Sequence, residues 1–224
     1  ALQKNIQMMQ NGELKDAEMA KEGAAVVLNV KTGEILAMAS YPNYDPSLFI
    51  DGISTENWNN YLNAEDHPLM NKAISSISPP GSTFKMVTAI AGLESGAIDV
   101  NTRINDTGVY RYYRDYQPRC WKSGGHGWLN VTRAIEVSCN YFFYETGRRT
   151  GIDRLVQVAS AFGLGQKTGI ELPGEEAGVL ASRETMNPWV DGYTIQAAIG
   201  QLNNSFTPLQ MAKYVAMVAN GGQN

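Results

Sequence analysis

A serine and a lysine three positions apart stand at the start of a predicted helix. The stretch over residues 78–85 reads SPPGSTFK and continues into the apolar, helix-favouring segment MVTAIAGLESG. Prolines cannot continue a helix towards its N-terminus, so the helix is predicted to begin near Gly81 or Ser82 and to end near Gly96. Residues i and i+3 share one helix face, and the Ser82 hydroxyl and the Lys85 amine can therefore meet.

This pair has the chemistry of a nucleophile and its base. The unpaired N–H groups at a helix N-terminus favour negative charge, so the Ser82 N–H can stabilise the oxyanion formed when the hydroxyl attacks a carbonyl. Lys85 can accept the serine proton if burial and the local positive field keep the amine neutral. The alternative for an isolated S-x-x-K is a helix cap beside a solvated lysine, and the rest of the chain must decide.

Composition is typical of a folded globular protein. The chain has 224 residues, 43% of them hydrophobic and 18% charged, with a net charge of −4. These values indicate one sizeable core. A basic cluster that would suggest nucleic acid is missing from the sequence, and so is a run of about 18 apolar residues that would predict a membrane span. The chain opens in a polar helical pattern over about residues 2–20, which we interpret as part of a longer protein.

Apolar periodicity predicts an N-terminal hairpin followed by long irregular segments. Two apolar runs, residues 24–30 and 34–40, flank Lys31-Thr32-Gly33 and predict a β-hairpin. Residues 41–78 have few periodic apolar positions and predict a long surface excursion. Residues 97–130 are predicted to be irregular.

The remaining sequence predicts several helices. They are expected from Asn130 or Thr132 through Glu136, over YFFYETGRRTG, over IDRLVQVASAFG and over TPLQMAKYVAMVANGG, with a short strand and turn in TGIELPGEEAG. The last helix has the clearest signals, because Thr207 is a cap residue, Pro208 lies in the first turn and Gln210 completes a capping box.

Four stretches together resemble the transpeptidase domain of class B penicillin-binding proteins. They are PPGSTFK, SCN at residues 138–140, FGLGQKTGIELPGE and AAIGQLNNSFTPLQMA. Each is a weak signal alone, but their order and spacing are highly specific. The resemblance covers nearly the whole chain, and GGHGWLNVTRAIE and GIDRL resemble the branch that serves cell elongation or spore-wall synthesis.

The resemblance implies an α+β fold of the penicillin-binding and serine β-lactamase-like transpeptidase type. Residues 22–41 would form a hairpin of the central antiparallel sheet, and residues 82–224 the helix-rich active-site region of a partial domain over residues 1–224. The family's third motif, Lys-Ser/Thr-Gly, is expected beyond Asn224 together with the last strands. We interpret the triplets at residues 31–33 and 167–169 as structural, and we expect this segment alone to be a weak catalyst.

The resemblance also assigns roles to four side chains. Ser82 would attack the D-Ala-D-Ala bond of a peptidoglycan stem peptide, with Lys85 as its base. Ser138 would relay a proton to the leaving amine, and Asn140 would hold the donor-peptide amide and hydrogen-bond to Lys85. A second stem peptide would then accept the acyl group, and β-lactams would acylate Ser82. The implied setting is the extracytoplasmic face of a bacterial membrane, with an N-terminal anchor and a membrane glycosyltransferase partner.

Two other functions share these features. A β-lactamase or β-lactam sensor uses the same Ser-x-x-Lys chemistry, but no glutamate in a plausible deacylating context stands out. A non-catalytic scaffold of a wall-synthesis complex is the second alternative, and the presence of all four of these side chains argues against it.

A structural zinc site is expected around the two cysteines. Cys120, His126 and Cys139 follow the pattern C-x5-H-x12-C, with Asp106 upstream and Asp115 as the reserve fourth ligand. Zinc takes these ligand types tetrahedrally, although the spacing is not that of a zinc finger. A disulfide, or two unrelated thiols, are the rival interpretations. Some elongation-type members of the family carry a metal at similar positions, which favours zinc.

Overall fold

Helices dominate the part of the chain that the computed structural model describes, residues 1–13 and 21–223. The helices are α1 (Leu2–Gln10), α2 (Thr55–Asn63), α3 (Lys72–Ser75), α4 (Lys85–Glu94), α5 (Val131–Glu136), α6 (Asn140–Thr150), α7 (Ile152–Ala161), α8 (Asp191–Ala197) and α9 (Pro208–Ala219). The strands are β1 (Gly23–Leu28), β2 (Ile35–Tyr41), β3 (Ile104–Asp106) and β4 (Gly127–Leu129). The described helices include none that is long and apolar enough to cross a membrane.

The chain forms two compact units. The first contains the described residues of 1–77, 167–176 and 207–224, and the second contains residues 78–166 and 177–206. The second unit holds all of the residues for which a catalytic or metal-binding role is predicted.

The predicted hairpin is present in the first unit. Strands β1 and β2 pair antiparallel, with Gly23 opposite Tyr41. Gly33 closes the turn with a φ of +74° and donates its N–H to the Asn29 carbonyl. This left-handed conformation favours glycine, so the triplet at residues 31–33 has a local structural reason. Helices α3 and α9 pack against β1.

The prediction of a surface excursion over residues 41–78 is wrong in part. Helix α2 and the single turn of α3 interrupt the segment, and in α3 Ala73 and Ile74 are fully buried. Lys72 is buried beside them and donates to the Asp66 and His67 carbonyls at 2.7 and 3.0 Å. A helix this short has too few residues to show an apolar period, so only its tertiary contacts define it.

The short strand predicted in TGIELPGEEAG is not formed among the described residues. The buried Glu175 carboxylate instead accepts the backbone N–H groups of Thr168 and Gly169 and the Thr168 hydroxyl. These bonds fold residues 167–176 into a loop. They supply a structural reason for the second Lys-Thr-Gly triplet.

The two terminal helices differ in how well their sequence signals located them. Helix α1 ends at Gln10 rather than near residue 20, and residues 14–20 lie outside the described part of the chain. Helix α9 begins as predicted, since Thr207 and Gln210 form the reciprocal hydrogen bonds of a capping box.

The second unit is built around α4. This helix packs against α6 and α7, and α6 also packs against α8. Helix α6 approaches the end of α8 closely at Gly147. A Cβ at this position would lie 2.3 Å from the Cβ of Ala198, the C-cap residue of α8. Strands β3 and β4 pair within the segment predicted to be irregular. Sequence analysis also missed α8, whose seven residues are too few to show a clear period.

Candidate active site

Ser82 is exposed on a 3-10 turn, Gly81–Phe84, that leads directly into α4. The chain before the turn is fixed by two backbone hydrogen bonds between Ser78 and Phe206, at 3.0 and 3.1 Å. Gly81 then donates its N–H to the Gly200 carbonyl at 3.0 Å. The turn that carries the hydroxyl is therefore held by a segment more than a hundred residues away in sequence.

Gly200 is a positioning residue that sequence analysis did not identify. Its φ is +72°, and a Cβ at this position would lie 2.2 Å from the Gly81 carbonyl oxygen. Both constraints require glycine. The glycine belongs to the AAIGQ stretch, but a single sequence does not indicate which backbone it approaches.

The Lys85 amine is the centre of the site. Its side chain is buried, and Nζ donates to the Ser138 carbonyl at 2.8 Å, to Ser138 Oγ at 3.0 Å and to Asn140 Oδ1 at 2.6 Å. An ammonium group has three hydrogens, and each has one of these acceptors. The structure therefore brings together three of the four predicted catalytic side chains, with Ser82 in the turn before Lys85.

Burial tunes the charge of this amine. It lowers the pKa of Lys85 to about 8, and electrostatic interactions with the nearby Cys139 and Cys120 oppose the shift. A neutral amine has two N–H groups and one lone pair, so it can accept a hydroxyl proton. Among the described residues, no hydrogen bond joins the Ser82 hydroxyl to Lys85.

The break predicted at SCN is a tight turn between α5 and α6. The Ser138 N–H bonds to the Ile135 carbonyl at 3.0 Å, and the Cys139 N–H bonds to the Ala134 carbonyl at 2.9 Å. This is the Schellman pattern that ends a helix, with Ser138 at the left-handed position usually taken by glycine. The φ of Ser138 is +51°, so this turn is held under backbone strain.

The four predicted metal ligands converge at one point. Asp106 Oδ2 lies 2.7 Å from His126 Nδ1 and 3.3 Å from Cys139 Sγ. Cys120 Sγ lies 3.5 Å from His126 Nδ1 and 3.9 Å from Cys139 Sγ. The two cysteines do not form a disulfide bond. All four ligand atoms lie within 4.8 Å of one another.

These side chains fit a tetrahedral metal ion. With Zn–S bonds of about 2.3 Å, two sulfur ligands of one zinc lie roughly 3.8 Å apart, close to the observed Cys120–Cys139 separation. The donor set of two sulfurs, one imidazole nitrogen and one carboxylate oxygen is one that zinc takes. Asp115 is exposed and lies outside this cluster, so Asp106 is the candidate fourth ligand.

Electrostatics in the cluster favour negative ligands. The hydrogen bond from the Cys139 thiol lowers the pKa of Cys120 to about 5, and the same contact together with burial raises the pKa of Cys139. Burial tends to raise the pKa of Asp106, but hydrogen bonds from His126 and the Gly108 N–H outweigh it and lower the pKa. These shifts favour the negatively charged forms of the Cys120 sulfur and the Asp106 carboxylate.

Comparisons with known proteins agree with this geometry. The model of the penicillin binding protein transpeptidase domain matches residues 23–224. Peptidoglycan D,D-transpeptidase MrdA of Escherichia coli K12 is 41% identical over 210 residues, which cover 89% of this chain and 32% of that protein.

Solved structures give the same result. Pseudomonas aeruginosa PBP2 in complex with WCK 5153 matches with a TM-score of 0.86 and 36% identity, over 99% of this chain and 50% of that chain. A second match is a chain of a peptidoglycan synthase complex, from a structure on the structural coordination of polymerization and crosslinking. Its TM-score is 0.85 and its identity is 34%. That match covers 98% of this chain and 39% of the other.

The chain belongs to the penicillin-binding protein transpeptidase domain family. This confirms the family and the fold class expected from the sequence. The chain spans about a third of the length of the curated relatives it matches.

The strain at Ser138 leads to a stability prediction. Ser138→Gly and Ser138→Ala both remove the hydroxyl, but only alanine keeps a Cβ in the left-handed conformation. We expect the free energy of unfolding of Ser138→Gly to exceed that of Ser138→Ala by about 1 kcal/mol, measured by urea denaturation. Equal stabilities would show that the turn does not store backbone strain.

Proposed function

We propose that the protein is a peptidoglycan D,D-transpeptidase that crosslinks stem peptides through an acyl-enzyme on Ser82. The observation that carries this proposal is the three-way hydrogen bonding of the buried Lys85 amine to Ser138 and Asn140, beside the exposed Ser82 turn. Membership of the family and similarity to the D,D-transpeptidase MrdA of E. coli support the same reaction.

Acylation begins with the neutral form of Lys85. The amine takes the proton of the Ser82 hydroxyl as its oxygen attacks the carbonyl between the two terminal D-alanines. The Ser82 N–H stabilises the oxyanion. The proton then passes from Lys85 through Ser138 Oγ, 3.0 Å away, to the departing D-alanine amine, and an ester remains on Ser82.

Transfer to the acceptor reverses this proton path. The amine of a second stem peptide attacks the ester carbonyl and loses a proton to Ser138 and Lys85, while Ser82 regains its own. The Asn140 side chain accepts from Lys85 through Oδ1, which leaves its amide N–H groups to hold the carbonyl of the donor peptide. A β-lactam acylates Ser82 by the same first step.

The substrate determines the setting of the reaction. Stem peptides ending in D-Ala-D-Ala are assembled into the wall outside the bacterial membrane, so we place the protein on the extracytoplasmic face, with an anchor outside residues 1–224. The match to a chain of a peptidoglycan synthase complex supports a membrane glycosyltransferase partner.

We also propose that Asp106, Cys120, His126 and Cys139 hold a structural zinc ion. Their convergence and donor types support this assignment. Four protein ligands leave no open position, so zinc would supply rigidity rather than Lewis-acid chemistry. Since Cys139 lies between Ser138 and Asn140, the site would fix the turn that presents both side chains.

The nucleophile is tested with Ser82→Ala in the full-length protein. We expect the variant to lose all covalent labelling by a fluorescent penicillin and to keep the wild-type melting temperature, because the exposed hydroxyl contributes little packing. Ser95→Ala, an exposed serine just after α4, is the matched control and should label normally. Labelling of Ser82→Ala at the wild-type rate would remove Ser82 from the mechanism, and rapid turnover of the wild-type adduct would indicate a β-lactamase.

The role of Lys85 predicts the pH dependence of acylation. Because the neutral amine is the base and its pKa is about 8, the acylation rate should rise about tenfold per pH unit below pH 7 and level off above pH 9. Lys85→Arg should be nearly as slow as Lys85→Ala, since arginine stays protonated. Stopped-flow kinetics with a fluorescent penicillin measure both. A pH-independent rate, or an active arginine variant, would show that only positive charge is needed.

Metal analysis tests the zinc site. We expect about one zinc per chain, lost in Cys139→Ser and in His126→Ala, with a lower melting temperature and slower penicillin acylation. His67→Ala is the matched control, because His67 is the other histidine of the chain and should leave the zinc content unchanged. A wild-type protein without zinc, or a non-reducing mass showing a Cys120–Cys139 bridge, would contradict the assignment.

A further inference from the structure

We propose that Trp121 is a positioning residue whose indole N–H fixes the turn that presents Ser138 to the reaction. The inference rests on the proposed transpeptidase function, and it assigns a specific role to a side chain for which sequence analysis predicted none. It concerns the N–H group rather than the ring.

The contacts of Trp121 are unusual for an exposed side chain. Although 63% of the residue is exposed, Nε1 lies 3.0 Å from the Val137 carbonyl oxygen and 3.1 Å from the Ser138 carbonyl oxygen. These carbonyls follow the last turn of α5, where a helix leaves acceptors without partners. The indole N–H therefore caps the end of α5 from the side.

Trp121 adds a restraint from outside the turn to the two backbone hydrogen bonds within it. Ser138 has a φ of +51°, where a side chain with a Cβ is disfavoured by about 1 kcal/mol or more. Rotation of the two peptide groups on either side of Ser138 would release this strain and move Ser138 Oγ. A donor that contacts both carbonyls at once opposes that rotation, because neither can turn without losing the bond.

The same carbonyl connects Trp121 to the catalytic amine. The Ser138 carbonyl oxygen accepts hydrogen bonds from both Lys85 Nζ, at 2.8 Å, and the Trp121 indole. These two bonds occupy both lone pairs of the oxygen. If the Trp121 bond is lost, Lys85 alone restrains this carbonyl, and the Nζ–Ser138 Oγ distance of 3.0 Å is held less tightly. Trp121 thus acts through Lys85 and Ser138.

A second contact of Trp121 must be kept separate in any test. Its ring packs edge-on against His126, with centroids 5.1 Å apart, and His126 is a candidate metal ligand. Trp121→Phe keeps an aromatic ring at this position and removes the N–H. A change in zinc content would therefore be assigned to loss of the ring contact with His126. Slower acylation at constant zinc content would be assigned to loss of the indole N–H.

The test compares variants of the full-length protein in stopped-flow acylation by a fluorescent penicillin. We expect Trp121→Phe to lower the acylation rate constant roughly 5- to 10-fold, the loss expected for one net hydrogen bond, with the dissociation constant of the non-covalent complex within about twofold of wild type. Zinc content should be unchanged. Trp128→Phe is the matched control, since Trp128 is 61% exposed and is expected to acylate normally.

Two outcomes would overturn the proposal. One is an unchanged rate constant in Trp121→Phe, and the other is a weakened non-covalent complex at an unchanged rate constant, which would make the ring a ligand contact. If Trp121→Phe proves unstable, site-specific 3-benzothienylalanine keeps the ring shape without the N–H and must give the same slower rate. A wild-type protein that is not acylated at all would refute the proposed function rather than the role of Trp121.

Discussion

The burial of one lysine amine determines the arrangement of the whole site. An ammonium group away from water needs an acceptor for each hydrogen, and the second unit supplies them from a single turn, as the Ser138 carbonyl, the Ser138 hydroxyl and the Asn140 amide oxygen. The same burial lowers the pKa of Lys85 to about 8, so the group that organises the turn can also take a proton. Structure and chemistry therefore depend on the same contacts.

Two backbone constraints keep this arrangement in place. On one side, Gly200 approaches the Gly81 carbonyl so closely that a side chain would not fit, and this fixes the turn that carries Ser82. On the other side, Ser138 occupies a left-handed position in which glycine would be more stable. The proposed proton relay needs a hydroxyl there, so the strain must be balanced by bonds to neighbouring groups, including those of Lys85 and Trp121.

Local sequence signals located the candidate catalytic residues better than they located the contacts that hold those residues. The prolines before Ser82 and the capping box at Thr207 act within one turn of chain. Helical structure begins at Gly81 as predicted, although as a 3-10 turn that leads into α4 at Lys85, and Thr207 caps α9 as predicted. The metal-ligand candidates were found by residue type, and Asp106 joined the other three as expected. Gly200, Trp121 and the buried helix α3 depend on partners far away in sequence, and a single sequence contains no periodicity that reports such contacts.

A crystal structure of the full-length protein after reaction with a penicillin tests the central role of Lys85 most directly. We predict an ester on Ser82 Oγ, with Lys85 Nζ still within hydrogen-bonding distance of Ser138 Oγ and Asn140 Oδ1, so that the amine bridges the nucleophile and the turn. An adduct on another residue, or a Lys85 side chain turned away from both Ser138 and Asn140, would contradict the mechanism.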